Sequence, residues 1–189
     1  MKNFKAKDIA EPAVALFVIC LVASVLLALT NNVTAEKIAQ NLVETEKASR
    51  MVVMPEAVSF GEAEVKENGL TVCEALDDKQ EVVGYVYTSS AKGYGGAVGV
   101  MVGIDKDGVV TGIEILSHAD THGLGANATS EGFKSRFVGK QGELTVDKNS
   151  NDGQNIQAIT AATITSKAVV SAVNAVIADF EATGGAENG

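Results

Sequence analysis

The stretch Ala97-Val-Gly-Val-Met-Val-Gly-Ile104, then Asp105-Lys-Asp-Gly108, then Val109-Val-Thr-Gly-Ile-Glu-Ile-Leu116 reads as two strands about one turn. Both flanks are short, apolar and rich in β-branched residues, and the Asp-Gly pair between them is a strong hairpin signal. Working back from this hairpin, Leu70 to Leu76 follows the turn residues Glu67-Asn68-Gly69, and Val82 to Thr88 follows Asp77-Asp78-Lys79-Gln80. Lys92-Gly93-Tyr94-Gly95-Gly96 joins the second of these strands to the hairpin, and its glycines imply unusual backbone angles or the close approach of another group. Working forward, a loop from Ser117 to Ala126 leads to a short helix around Glu131 to Val138, with Phe133 and Phe137 at i and i+4. The polar run Asp147 to Gly153 is a loop. In the last segment, Ser166 to Ala182, Val169, Val173, Val176, Ile177 and Phe180 share one helical stripe, and Gly184 and Gly185 can end the helix. Strands come first and helices follow, so the expected class is α+β, with helices packed on an antiparallel-rich sheet.

Ahead of this domain, Ala13 to Thr30 carries no charged residue. As a helix it is roughly 27 Å long, close to a hydrocarbon core of about 30 Å. Ile9 and Ala10 extend it across Pro12, so a transmembrane helix is expected over 9–30. Val33-Thr34-Ala35 resembles a signal-peptidase site, but the apolar run exceeds the roughly 7–15 residues of a signal core, which favours a permanent anchor. Lys2, Lys5 and Lys7 favour residues 1–8 in the cytoplasm and the domain outside it, a small charge bias because Lys37, Lys47 and Arg50 follow the span. Residues 31–55 read as a separate juxtamembrane helix and linker, capped by Asn32 or Thr34, carrying Ile38, Leu42, Val43 and Met51, and stopped by Pro55. The folded domain is then 56–185, with a tail at 186–189.

A net charge of -9 excludes a nucleic-acid partner, which needs clustered Lys and Arg. The two cysteines, Cys20 and Cys73, form no C-x-x-C pair, so neither an iron–sulfur cluster nor a structural zinc has ligands; any electron carrier is organic. His118-Ala119-Asp120-Thr121-His122 has two histidines at i and i+4, but Ala119 stands where a zincin has Glu, and Gly123 and Gly125 break the helix it would need. The segment is either a surface turn or a tight loop whose backbone N–H groups meet a flat ligand. The 147–153 run mimics a calcium loop, but its glycine comes one place late and Ala158 stands at the twelfth position. No G-x-S-x-G elbow is present, and neither histidine has a recognisable nucleophile partner. Thr160-Ala161-Ala162-Thr163-Ile164-Thr165-Ser166 places small side chains and hydroxyls at the start of the last helix. Such a start caps the helix or holds a phosphate, and these residues alone leave both readings open.

Taken together, the anchor, the Gly93-Tyr94-Gly95-Gly96 segment, the strand pair ending at His118, the glycine loop and the Phe133/Phe137-Gly139-Lys140 element resemble one family, and so does the Thr160–Ser166 run. It is the RnfG family, the FMN-binding component of the Rnf complex, the membrane ion-translocating ferredoxin:NAD oxidoreductase. The family pattern Asp, two residues, Ser or Thr, Gly, Ala, Thr falls here on Gln157, Thr160, Ala161, Ala162 and Thr163, with Gln for Asp and Ala for Gly. The resemblance implies FMN covalently held by a phosphoester to Thr163, with Thr160, Ala161, Ala162, Thr165 and Ser166 around the attachment. It also implies that the isoalloxazine ring lies against Asp120, Thr121, Gly123, Leu124 and Gly125, where the family commonly has Glu-Thr-Pro-Gly-Leu-Gly. Implied partners are a second flavinylated membrane protein of the complex, its iron–sulfur subunits and the flavin transferase that installs the cofactor. The protein would relay electrons in the cytoplasmic membrane without turnover of its own. Two alternatives stand beside this one: the NqrC component of a sodium-translocating NADH:quinone oxidoreductase, which shares the FMN domain but is longer, and a membrane-anchored binding module without redox chemistry.

Overall fold

A computed structural model describes residues 6–118 and 125–183. Lys2, Lys5, Ala119, Asp120, Thr121, His122, Gly123, Leu124, the Gly184–Gly185 terminator and the 186–189 tail lie outside the described residues. The chain divides into two compact units, Met1–Glu44 and Thr45–Gly189.

Helix α1 (Ala6–Val53) runs through both units without a break. Its apolar stretch Pro12–Ala35 has a mean hydropathy of 2.8 and is unburied, long and apolar enough to cross a membrane. The sequence predicts a new helix start at Asn32 or Thr34, and the structure differs for a local reason. Thr34 Oγ1 donates back to Thr30 O (2.8 Å) as Thr30 Oγ1 does to Leu26 O (2.9 Å), so these hydroxyls are satisfied inside a continuing helix.

In the second unit, β1 (Ser59–Phe60), β2 (Glu64–Val65), β3 (Thr71–Leu76), β4 (Val82–Lys92), β5 (Ala97–Asp105) and β6 (Val110–Ser117) form one antiparallel sheet. The order is β1-β3-β4-β5-β6, with β2 also on the outer edge of β3. The Asp105–Gly108 hairpin forms as its residues dictate: Asp105 Oδ1 accepts from Asp107 N and Val109 N (both 2.9 Å), and Gly108 takes φ +84°. β4 extends to Lys92, beyond the expected end at Thr88, because it stays in register with β5 as far as Lys92↔Ala97. Among the described residues, the left-handed glycines are Gly69, Gly108, Gly139, Gly142 and Gly153, so the Gly93–Gly96 turn closes without one. A 3₁₀ turn (Gly125–Thr129), α2 (Glu131–Lys134), a parallel pair of β7 (Thr145–Asp147) and β8 (Asn155–Gln157), and α3 (Thr163–Ala182) complete the unit.

The stripe read from the sequence is the buried face of α3: Val169, Val173, Val176, Ile177 and Phe180 pack on Val98, Val100, Val102 and Ile104 of β5. Phe133 and Phe137 meet edge-to-face in the same core, with ring centroids 5.3 Å apart. The opposite face of the sheet holds Val53, Met54, Ala57, Cys73, Ala75, Val86 and Met101. There the end of α1 sits directly on backbone. A Cβ on Gly103 would stand 2.3 Å from Val53 O, and one on Gly112, its cross-strand partner, 3.0 Å from Val53 Cα. Thr111 Oγ1 donates to the same Val53 carbonyl (2.6 Å).

The direction of α3 locates its first residue. The Phe180 ring lies 6.0 Å from the Tyr85 ring near the start of β4. From Phe180 back to Thr163 is roughly 25 Å of helix, and β4 from Tyr85 to Lys92 spans about as much. The N-terminus of α3 therefore points toward the end of the sheet where the Gly93–Gly96 turn closes and β6 stops at Ser117. The 3₁₀ turn packs against both β6 and α3, with Ala128 fully buried.

Candidate functional site

The segment entering α3 is built as a tight turn. Ala162 N–H donates to Ile159 O (3.0 Å), so Ile159 to Ala162 is a four-residue turn with Ala161 third, at φ 62°. That place in a type II turn ordinarily goes to glycine, because a Cβ is strained in the left-handed region. Ser166 is fully buried and holds the turn to the helix. Its Oγ accepts from Ile159 N–H (2.9 Å) and donates to Ala162 O (3.0 Å). Thr165 is 2% exposed. Neither is a free capping hydroxyl at the surface, and the residue preceding the helix, Ala162, has no side chain with which to cap it.

Thr163 differs from both. It is the first residue of α3 and half-buried, and its hydroxyl has no hydrogen-bond partner among the described residues. It borders a hollow of about 290 Å³ lined by Lys148, Ala158, Ile159, Thr160, Ala161 and Thr163. At about 30 Å³ of liquid per water molecule, this has room for a phosphate group and the chain attached to it. The first-turn N–H groups of a twenty-residue helix lack intrahelical acceptors and carry partial positive charge, and Lys148 adds a full one. A free hydroxyl, helix N–H donors and an ammonium make a donor set that fits the phosphate of FMN. Lys148 falls in the run read from the sequence as a solvated loop. Its signal was that it is a cation in the connection between two strands leading to the Thr160–Ser166 run, and tertiary structure brings it, still exposed, to the edge of the hollow.

Other contacts fasten this segment to its surroundings. Arg136, just past α2, donates to Gln157 O and to Gly132 O (3.0 Å) and lies over the Phe133 ring. Lys140 bonds the carbonyls of Asn151 (3.1 Å) and Gly153. Asn174 in α3 clamps Leu144, accepting from its N–H and donating to its C=O, both at 2.8 Å. Lys134 pairs with Glu114 (2.7 Å) and Glu131 (2.6 Å). Burial alone would lower its ammonium pKa, but these two carboxylates outweigh it and hold the group above its usual value. Of the residues expected beside the ring, Gly125 opens the 3₁₀ turn, and Asp120, Thr121, Gly123 and Leu124 lie outside the described residues. Among the described residues, no group of three or more His, Cys, Asp or Glu is placed to hold a metal ion.

The FMN-binding domain family model matches residues 93–178, the hairpin through most of α3, and the RnfG N-terminal region model matches residues 1–50. The G component of the Na(+)-translocating ferredoxin:NAD(+) oxidoreductase complex of Acetobacterium woodii is 44% identical over 177 residues, covering 84% of this chain and 85% of that protein. The chain belongs to the RnfG family. A second member, the G component of the proton-translocating complex of Clostridium ljungdahlii, is 36% identical over 84% of each protein. The corresponding component of the ion-translocating oxidoreductase complex of Methanosarcina acetivorans is 33% identical over 91% of this chain and 94% of its own length. The fold is also that of the C component of the Na(+)-translocating NADH-quinone reductase from Parabacteroides distasonis (TM-score 0.53, 20% identity, 64% of each chain). Membership in the RnfG family accounts for the whole arrangement: an apolar N-terminal helix followed by an FMN-binding α+β domain.

Proposed function

We propose that this protein is an electron-transfer subunit of a membrane ion-translocating ferredoxin:NAD oxidoreductase complex, relaying electrons through FMN esterified to Thr163. The observation that carries the attachment is the Thr163 hydroxyl, half-buried and unpartnered among the described residues, at the head of α3 and facing a hollow that Lys148 lines. In the ester-forming step Thr163 Oγ1 bonds to the flavin phosphorus as its hydroxyl loses a proton, and the phosphorus–oxygen bond to the leaving group of an activated flavin phosphate donor breaks, so relative to free FMN the protein gains FMN less one water. When bound, the flavin supplies the redox chemistry. The helix N–H groups and Lys148 hold the phosphate, the Ile159–Ala162 turn sets where Thr163 stands, and Arg136 fixes the incoming strand. Asp120, Thr121, Gly123, Leu124 and Gly125 form the wall for the ring. The α1 span anchors the protein in the cytoplasmic membrane with residues 1–8 inside and the domain outside. A flavin transferase loads it. A second flavinylated membrane protein and iron–sulfur subunits exchange electrons with it, and ion movement belongs to the assembled complex. The test is a denaturing gel of full-length protein co-produced with the transferase. A fluorescent flavin band in the wild type that is lost in Thr163→Ala is the expected result, and no band in the wild type overturns the covalent reading.

A further inference from the structure

Ser166 is fully buried in α3, and its hydroxyl closes on both ends of the turn that precedes the helix. Ile159, the first residue of the turn, donates its N–H to Ser166 Oγ (2.9 Å). The same hydroxyl donates to the carbonyl of Ala162, the last residue of the turn (3.0 Å). Between these ends Ala161 holds φ 62°, where its Cβ is strained and the right-handed and extended regions are lower in energy. Inside the turn, the bond that opposes opening is Ala162 N–H to Ile159 O (3.0 Å). The two Ser166 bonds are made together only while the turn is closed. Opening it breaks the Ile159 bond at a hydroxyl that water does not reach, and that loss offsets the strain at Ala161. The clasp therefore governs the entry to Thr163. Ala162 (φ −132°, ψ 40°) turns the chain into α3, and Thr163 follows it directly, bordering the hollow with Thr160 and Ala161.

We propose that Ser166 is a positioning residue for esterification: its hydroxyl clasp keeps the Ile159–Ala162 turn closed, and so lets an alanine serve at 161 where the family has glycine. The proposal rests on the FMN reading of Thr163. Ser166 touches neither the flavin nor its phosphate. It acts through Ile159 and Ala162, holding Thr163 Oγ1 where it meets the phosphorus of an activated flavin phosphate donor. Displacing a reacting atom by about 1 Å can cost roughly a hundredfold in rate. A Thr163 that follows an open turn therefore loses ester formation while the sheet and α3 persist. Glycine at 161 adopts the turn without strain and removes the need for the clasp. The dependence on Ser166 is thus conditional on Ala161.

The experiment uses full-length protein in detergent, made without the flavin transferase, as wild type, Ser166→Ala, Ala161→Gly and the double variant. Each is incubated with purified transferase and flavin adenine dinucleotide, a flavin phosphate anhydride that releases AMP as Thr163 Oγ1 bonds to phosphorus. Covalent load is followed by intact mass at a temperature well below every melting transition. All four proteins are folded there, so a purely structural role for Ser166 predicts equal rates. Ser166→Ala should instead load about tenfold to a hundredfold more slowly than the wild type. The double variant should load at the rate of Ala161→Gly. Equal rates in wild type and Ser166→Ala overturn the proposal and leave the ester untouched, and so does a double variant as slow as Ser166→Ala. No adduct on the wild type overturns the ester itself, and the proposal falls with it. Should Ser166→Ala not fold, the double variant carries the rate comparison, and amide exchange in the wild type tests the clasp. The Ile159 amide should exchange slowly; exchange at the rate of an unstructured peptide contradicts its bond to Ser166.

Discussion

At the scale of single residues, the Ile159–Ala162 turn ahead of α3 carries strain that its sequence does not announce. Ala161 holds φ 62°, where a Cβ costs roughly 1–2 kcal/mol. Glycine would remove that strain while adding ~0.4–1 kcal/mol of unfolded-chain entropy, so strain relief wins. Ala161→Gly is expected to raise stability by up to about 1 kcal/mol in denaturant unfolding, and to keep Thr163 available for modification. Tyr87 makes a second residue-scale prediction. Burial, reinforced by Asp179, pushes its phenol up to about 12 from the usual 10. Below pH 10 the group is neutral in both the folded and unfolded chain, and its contribution is intact. As pH rises from 10 toward 12, the unfolded chain ionises while the folded one resists, so stability falls, by about 2–3 kcal/mol for this group alone. Tyr87→Phe should flatten that alkaline decline in chemical-denaturation curves measured between pH 9 and 12. The residue pattern itself gave Thr163 its place in the motif. The same pattern points to Thr163 and not Thr165, and the structure adds that Thr165 is 2% exposed and Ser166 fully buried, tied to Ile159 and Ala162. Lys148 does not stand out in a polar run, because its approach to the hollow depends on how β7 and β8 pair.

At the scale of elements, the end of α1 and the sheet are fitted to each other through glycine. A Cβ on Gly103 would lie 2.3 Å from Val53 O, a backbone atom with no rotamer to escape into. Gly103→Ala must shift the helix end and disturb the Thr111–Val53 bond, so a loss of ~1–3 kcal/mol is expected by thermal or denaturant unfolding. The long elements were legible because their signals are local: apolar β-branched runs about the Asp-Gly turn for β5 and β6, and the Val169–Phe180 stripe for α3. β1, β2, β7 and β8 are two or three residues long, too short to show a period, and exist because β3 and α3 present partners to them. The same lack of tertiary information split α1 at Asn32 and Thr34, since a hydroxyl that bonds back to residue i−4 looks from sequence like one that caps.

At the scale of the whole molecule, an apolar helix long enough to span a membrane and an FMN-binding domain occur on one chain of the RnfG family. The family's usual Gly and Asp are Ala161 and Gln157 here, and the fold keeps the turn with Ala161 at positive φ and bonds the Gln157 carbonyl to Arg136. The account turns on one bond, between Thr163 Oγ1 and the flavin phosphate. The most direct measurement is the intact mass of full-length protein co-produced with its flavin transferase, compared with Thr163→Ala and Thr165→Ala. The account predicts FMN less one water on the wild type and on Thr165→Ala, and none on Thr163→Ala. An adduct that persists on Thr163→Ala and disappears from Thr165→Ala would contradict it.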